Sequence, residues 1–249
     1  MNKQIVVLVL MLLYFASALS AECIVLLHGL ARTSNSMNEL EQKLTRESYY
    51  VANIDYPSRK KEIIELSEIA INEGLARCHQ HASSPVNFVT HSLGGILVRQ
   101  YYKNHSPENV KRVIMLGPPN NGSEVVDSLK NMPGYELLNG PAGQQLGTGN
   151  DDLPKRLGAV NFELGVIAGT RSINLILSTF LPNPDDGKVS VESTKVDGMC
   201  GFVTLPVSHP FLMTDDQAIS EVINFLAYGK FKHESAINFC HNEYADEDL

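Results

Sequence analysis

The chain reads as an α/β protein with a mostly parallel sheet covered by helices on both faces. Three observations predict this. Apolar, β-branched runs alternate with stretches of helical period, the runs are apolar throughout as in strands buried on both sides, and one strand passes through a tight turn into a helix. The strands expected are Cys23–Leu27, Tyr50–Ile54, Val86–Thr90, Val110–Leu116, Phe162–Ala168 and Phe202–Leu205. Helices are expected over residues 34–47, 60–78 and 93–103. A last helix follows Thr214, which with Gln217 suggests a capping box, and Ile219, Val222, Ile223 and Leu226 repeat at i, i+3, i+4 and i+7. Residues 131–158 are rich in Gly and Pro without a sustained period, and read as a small lid or as a plain surface loop.

The first residues carry Lys3 and then run apolar from Ile5 to Leu19, the pattern of an export signal and not of a membrane span. Cleavage after Ser20 is expected, with Ala16 and Ala18 as alternatives. The expected layout is a signal over 1–20, one domain over 21–228 and an acidic, flexible tail over 229–249. The product is expected to be periplasmic or secreted. A formal net charge of −8 argues against nucleic acid as a partner. Export permits Cys23, Cys78, Cys200 and Cys240 to pair in three connectivities. Cys23–Cys78, tying the mature start to a helix end, and Cys200–Cys240, holding the tail, are the expected pairs, against the alternative that some stay free and buried.

The chemistry centres on Thr90-His91-Ser92-Leu93-Gly94-Gly95. An apolar strand precedes it, and apolar positions 93, 96, 97 and 101 continue it as a helix. A sharp turn at this junction lifts a serine hydroxyl above the sheet edge, and the N–H of Leu93 lies at a helix N-terminus, where partial positive charge favours an oxyanion. Thr90 departs from G-x-S-x-G at its first position. A second oxyanion donor belongs after the first strand, where Leu27-His28-Gly29-Leu30 offers the N–H of Leu30, with the His28 imidazole bracing the loop.

Ser92 needs a base, and the base needs a carboxylate to set its tautomer. In this arrangement the acid and then the histidine follow the serine in the chain. His105 comes too early, and His233 and His241 lie in the tail. His209, between the last strand and the last helix, is the expected base. Asp185 and Asp186 share one turn before it, while Asp55 sits at an earlier strand end and reads as structural.

Leu27-His28-Gly29-Leu30, Thr90–Gly95, Leu116–Ser123, Asp186-Gly187-Lys188-Val189 and Ser208-His209-Pro210 together resemble the lipase branch of the α/β-hydrolases, including bacterial triacylglycerol lipases and the domain related to GPI inositol deacylases. The resemblance runs from about Val25 to Leu226. It implies the α/β-hydrolase fold and selects Asp186 as the acid, since the aspartate before glycine orients the histidine in those lipases, with Asp185 as runner-up. It implies a serine carboxylic ester hydrolase, an esterase or lipase, that acts on an acyl ester or lipid with no cofactor or metal. The apolar run Ile173–Leu181 would line an acyl pocket or form a core helix. An acyltransferase using the same acyl-enzyme, or a binding protein that kept the fold, are the other readings. Acyl-chain length and oligomeric state stay open.

Overall fold

The computed structural model describes residues 21–81 and 83–240. The expected export signal and the acidic residues 241–249 lie outside the described residues. Seven strands form one sheet: β1 (Glu22–Leu27), β2 (Tyr50–Ile54), β3 (Ser83–His91), β4 (Val110–Leu116), β5 (Leu164–Gly169), β6 (Gly201–Leu205) and β7 (Ile237–Asn238). Their order is β2-β1-β3-β4-β5-β6-β7. All neighbours are parallel except β6 and β7.

Both faces of the sheet are covered, which is why the central strands carry no polar alternation. Along β1, Cys23, Val25 and Leu27 pack with helices α2 (Ile63–His81) and α3 (Leu93–Asn104), while Ile24 and Leu26 pack on the other face with α1 (Asn38–Arg46) and α8 (Asp216–Tyr228). Phe88 and Val89 divide in the same way on β3, as do Met115 and Ile114 on β4. Each such buried side chain contributes about 1.5–3 kcal/mol relative to exposure.

Several boundaries differ from the sequence expectation. Residues 34–47 divide into a 3₁₀ turn (Ser34–Met37) and α1, and β5 starts at Leu164 instead of Phe162. The last helix is capped by Asp215 and not by Thr214: the Asp215 carboxylate accepts from the N–H groups of Gln217 (3.0 Å) and Ala218 (2.9 Å), leaving Thr214 to donate to the Phe211 carbonyl. The segment expected as a tail is tied down as far as Cys240, by β7 against β6 and by the Cys200–Cys240 disulfide. Cys23–Cys78 is the second bridge and joins β1 to the last turn of α2. Two disulfides suit a chain that folds in an oxidising compartment. No helix among the described residues is long and apolar enough to cross a membrane.

The register brings the strand ends together. Leu27 pairs with Ile54 and Thr90, Thr90 with Met115, and Gly169 with Leu205. The loops after β1, β3, β4, β5 and β6 therefore leave the same carboxyl edge of the sheet, where open α/β sheets bind ligands.

Candidate active site

Ser92 sits between β3 and α3 with φ 53° and ψ −118°, a left-handed backbone rarely adopted by a non-glycine residue. Its N–H donates to the Leu116 carbonyl at 2.9 Å, which holds the turn against the end of β4. The turn is tight enough that a Cβ on Gly94 would lie 2.7 Å from the Leu27 carbonyl oxygen. Thr90 fits the departure from G-x-S-x-G because it is the buried end of the strand and not part of the bend, with its hydroxyl 3.4 Å from the Ile114 carbonyl. Leu93 opens α3, so its N–H has no acceptor within the helix.

The loop after β1 approaches the same turn. A Cβ on Gly29 would meet His91 Nδ1 at 2.8 Å and Ser92 Cβ at 3.2 Å, so only glycine lets the two chains come this close. His28 braces this loop. Its Nδ1–H donates to the Gly29 carbonyl at 2.9 Å, its ring stacks on Tyr56, and Nε2 accepts from the Tyr56 N–H at 3.3 Å. Burial lowers its pKa, against weaker opposing contributions from Gly29, Asp55 and Tyr56. Asp55 lies 3.6 Å from His28 Nε2 and supports the loop from outside.

His209 begins a 3₁₀ turn after β6, and its Nδ1–H donates to Asp186 Oδ2 at 2.6 Å. Such a proton position leaves Nε2 as the lone-pair nitrogen. The other carboxylate oxygen of Asp186 accepts from the N–H groups of Lys188 (2.9 Å) and Val189 (2.8 Å), and the His209 N–H donates to the Asp186 carbonyl at 3.0 Å. Gly187 makes this turn at φ +93°. Asp185 points elsewhere and accepts from the Ser178 hydroxyl (2.7 Å) and the Gly187 N–H (2.7 Å). Of the two neighbouring carboxylates, the one that pairs with His209 is Asp186.

Ser92, His209, Asp186 and Leu30 all line one cleft of about 530 Å³, within the usual range for a small-molecule site. No hydrogen bond among the described residues joins the Ser92 hydroxyl to the His209 imidazole, a contact that commonly tightens only with substrate. The Gly- and Pro-rich stretch supplies α5 (Tyr135–Gln144), kinked at Gly140, and α6 (Leu153–Arg156). Tyr135, Leu138, Asn139 and Leu146 from this stretch form part of the cleft wall. Its base is held by Arg99 of α3, which donates to the carbonyls of Pro154 and Gly158 and to Asn120. The run Ile173–Leu181 is not a core helix. It carries one short helix, α7 (Leu175–Ser178), and Ile173, Leu175 and Ile176 are 61–76 % exposed beside the opening, with Ile173 on the cleft wall.

Sequence reasoning missed four neighbours of the site. His91 is buried, and its Nε2–H donates to the His209 carbonyl at 3.0 Å. The Ser123 hydroxyl donates to the Lys188 carbonyl at 2.7 Å and so ties the acid turn to the start of α4 (Glu124–Leu129). Arg32 and Lys188 line the cleft itself. The signal available for the last pair was position, since each lies two residues beyond an expected site residue, Leu30 and Asp186.

A mostly parallel sheet with a strained serine at the carboxyl end of a central strand defines the α/β-hydrolase class, and solved structures match that fold. Lipase BlEst2 of Bacillus licheniformis in its mature form superposes with a TM-score of 0.65 over 84% of this chain and 92% of that chain, at 20% identity. Lipase B of Aspergillus fumigatus gives 0.62 over 84% of this chain and 53% of that chain at 16% identity. Phospholipase PlaB of Legionella pneumophila gives 0.61 over 76% and 54% at 19% identity. The family model described as palmitoyl protein thioesterase matches residues 23–150, just over half of the 249-residue chain, and the chain belongs to that family. No curated protein matches it.

Proposed function

We propose that this protein is a serine hydrolase of acyl esters, with Ser92 as nucleophile, His209 as general base and Asp186 as the carboxylate that orients it. The observation that carries the reading is the strained Ser92 turn facing a cleft shared with the Asp186–His209 pair. Ser92 attacks the acyl carbonyl while His209 Nε2 takes its proton, and Asp186 stabilises the imidazolium that forms. The N–H groups of Leu30 and Leu93 receive the oxyanion, a contribution of roughly 3–4 kcal/mol for each such donor. His209 then protonates the departing oxygen or sulfur, and water resolves the acyl-enzyme by the reverse proton path. Apolar walls from Val125, Leu129, Leu138 and Leu146 suit the acyl chain. The family name suits a thioester as well as an oxygen ester, since the same steps cleave both. The apolar segment 5–19 and the two disulfides support an exported enzyme.

A fluorophosphonate probe tests this directly. Labelling of Ser92 that disappears in Ser92→Ala, with Ser92-dependent hydrolysis of p-nitrophenyl esters, is the expected result. A folded protein with an inert Ser92 would overturn it.

A further inference from the structure

The side chains of the cleft are electrostatically one-sided. Its only carboxylate is Asp186, and both oxygens of that group are engaged, one by His209 and the other by two backbone N–H groups. Two cations, both solvent-exposed, line the same space. Arg32 stands two residues beyond Leu30 in the loop after β1, and Lys188 stands two residues beyond Asp186 in the acid turn. Neither makes an ion pair or a side-chain hydrogen bond among the described residues, so both charges stay available to a ligand in the cleft. The backbone of each cation is fixed by the site: the Arg32 N–H donates to the Gly29 carbonyl, and Lys188 is held through its N–H to Asp186 and its carbonyl to Ser123.

Lys188 also lies within electrostatic reach of Arg32. Lost hydration is the first reason that the Lys188 ammonium titrates below the usual lysine range; attraction by Asp186 opposes this, and repulsion from Arg32 adds to it. An anion seated between the two would relieve that repulsion and accept charge-assisted hydrogen bonds from both. In a chain of net charge −8, a cleft whose free charges are both positive marks the chemistry of its ligand.

Resting on the ester hydrolysis proposed above, we infer that Arg32 and Lys188 form an anion subsite beside Ser92, selecting acyl donors whose leaving portion carries a phosphate. Ser92 Oγ bonds to the acyl carbon as the bond to the leaving oxygen or sulfur breaks. His209 delivers the serine proton to that atom, the phosphate-bearing alcohol or thiol departs, and water releases the fatty acid. The phosphate takes no part in the bond changes and serves only to hold the leaving portion between the two cations.

The test compares oleoylglycerol with oleoylglycerol phosphate, and oleoyl N-acetylcysteamine with oleoyl coenzyme A, below the critical micelle concentrations. The expected result is a higher kcat/KM for the phosphate-bearing member of at least one pair, carried by KM and weakening with added salt. The pair showing it distinguishes a glycerophosphate headgroup from a nucleotide-bearing thioester. In Arg32→Gln/Lys188→Gln the preference falls on the order of tenfold, whereas the remote charge control Arg46→Gln retains it. Equal kcat/KM within both pairs, or a preference unaltered in the double variant, overturns the subsite. Calorimetry of glycerol 3-phosphate and of inorganic phosphate with Ser92→Ala separates this from the catalytic reading: binding lost in Ser92→Ala/Arg32→Gln/Lys188→Gln supports the subsite even without turnover, and no binding of either to Ser92→Ala overturns it. Loss of all Ser92-dependent hydrolysis of neutral p-nitrophenyl esters would instead count against the hydrolase reading.

Discussion

The Nε2–H of His91 donates to the backbone carbonyl of His209 at 3.0 Å, with the two rings 4.7 Å apart. The residue before Ser92 thereby holds the loop that carries His209. Since Nε2 must carry the proton, Nδ1 is unprotonated, and in its buried position it has no partner among the described residues.

Burial of the His91 imidazole makes stability depend on pH. Burial holds the pKa of His91 well below the usual histidine value, helped by repulsion from His209, Arg32 and His28 and opposed by the bond to the His209 carbonyl. Because the folded pKa is depressed, the unfolded chain binds the extra proton first as pH falls below about 6.5, and folded stability is lost in that direction. Thermal unfolding from pH 7 to pH 5 is expected to show a smaller drop for His91→Gln, which keeps a donor but does not titrate. An equal drop in both proteins would clear His91 of the effect.

The two neighbouring carboxylates are expected to separate cleanly. Asp186→Asn removes the acceptor that sets the His209 tautomer and should lower kcat by roughly three to four orders of magnitude. Asp185→Asn should retain most of the activity toward short p-nitrophenyl esters, because its carboxylate serves the Ser178 hydroxyl and the Gly187 N–H instead. Steady-state rates of the two variants check this, and the reverse order would reassign the acid.

Gly94→Ala would place a Cβ 2.7 Å from the Leu27 carbonyl oxygen and 2.9 Å from the Leu27 Cβ. Rigid strand atoms cannot yield as a flexible side chain would, so α3 must shift and carry Ser92 with it. A loss of about 1–3 kcal/mol in denaturant unfolding is expected, together with weaker labelling of Ser92 by a fluorophosphonate.

The two disulfides should differ in what they protect. Cys23–Cys78 closes 55 residues between the first strand and α2, so a Cys23→Ala/Cys78→Ala protein should lose about 2–4 kcal/mol of global stability. Cys200–Cys240 anchors the two-residue β7 at the sheet edge. Its removal should raise hydrogen exchange over residues 229–240 with a smaller effect on the midpoint.

The central strands were legible because burial on both faces leaves continuous apolar runs, and the nucleophile turn because Ser92 and Gly94 fall where a strand period changes to a helical one. Less legible was the stretch 131–158. Gly134, Gly140 and Pro141 interrupt its period, so α5 is a kinked helix whose pattern does not repeat. The run Ile173–Leu181 suited either an acyl-pocket wall or a core helix from its composition; Ile173 lies on the cleft wall, Leu175 and Ile176 stand exposed and Leu181 is buried, so it is no core helix. At the last helix, adjacent Thr214 and Asp215 both suit an N-cap, and only the path of the backbone selects the aspartate.

By itself the sequence determined the order of strands and helices and the order of Ser92, Asp186 and His209 along them, because both follow from local period and from turn chemistry. Tertiary structure decided which of Asp185 and Asp186 faces His209, that His91 ties the His209 loop to the Ser92 turn, and that Arg32 and Lys188 share one cleft. The physical reason is separation along the chain: these groups meet only when the sheet register brings the ends of β1, β3, β5 and β6 to a common edge.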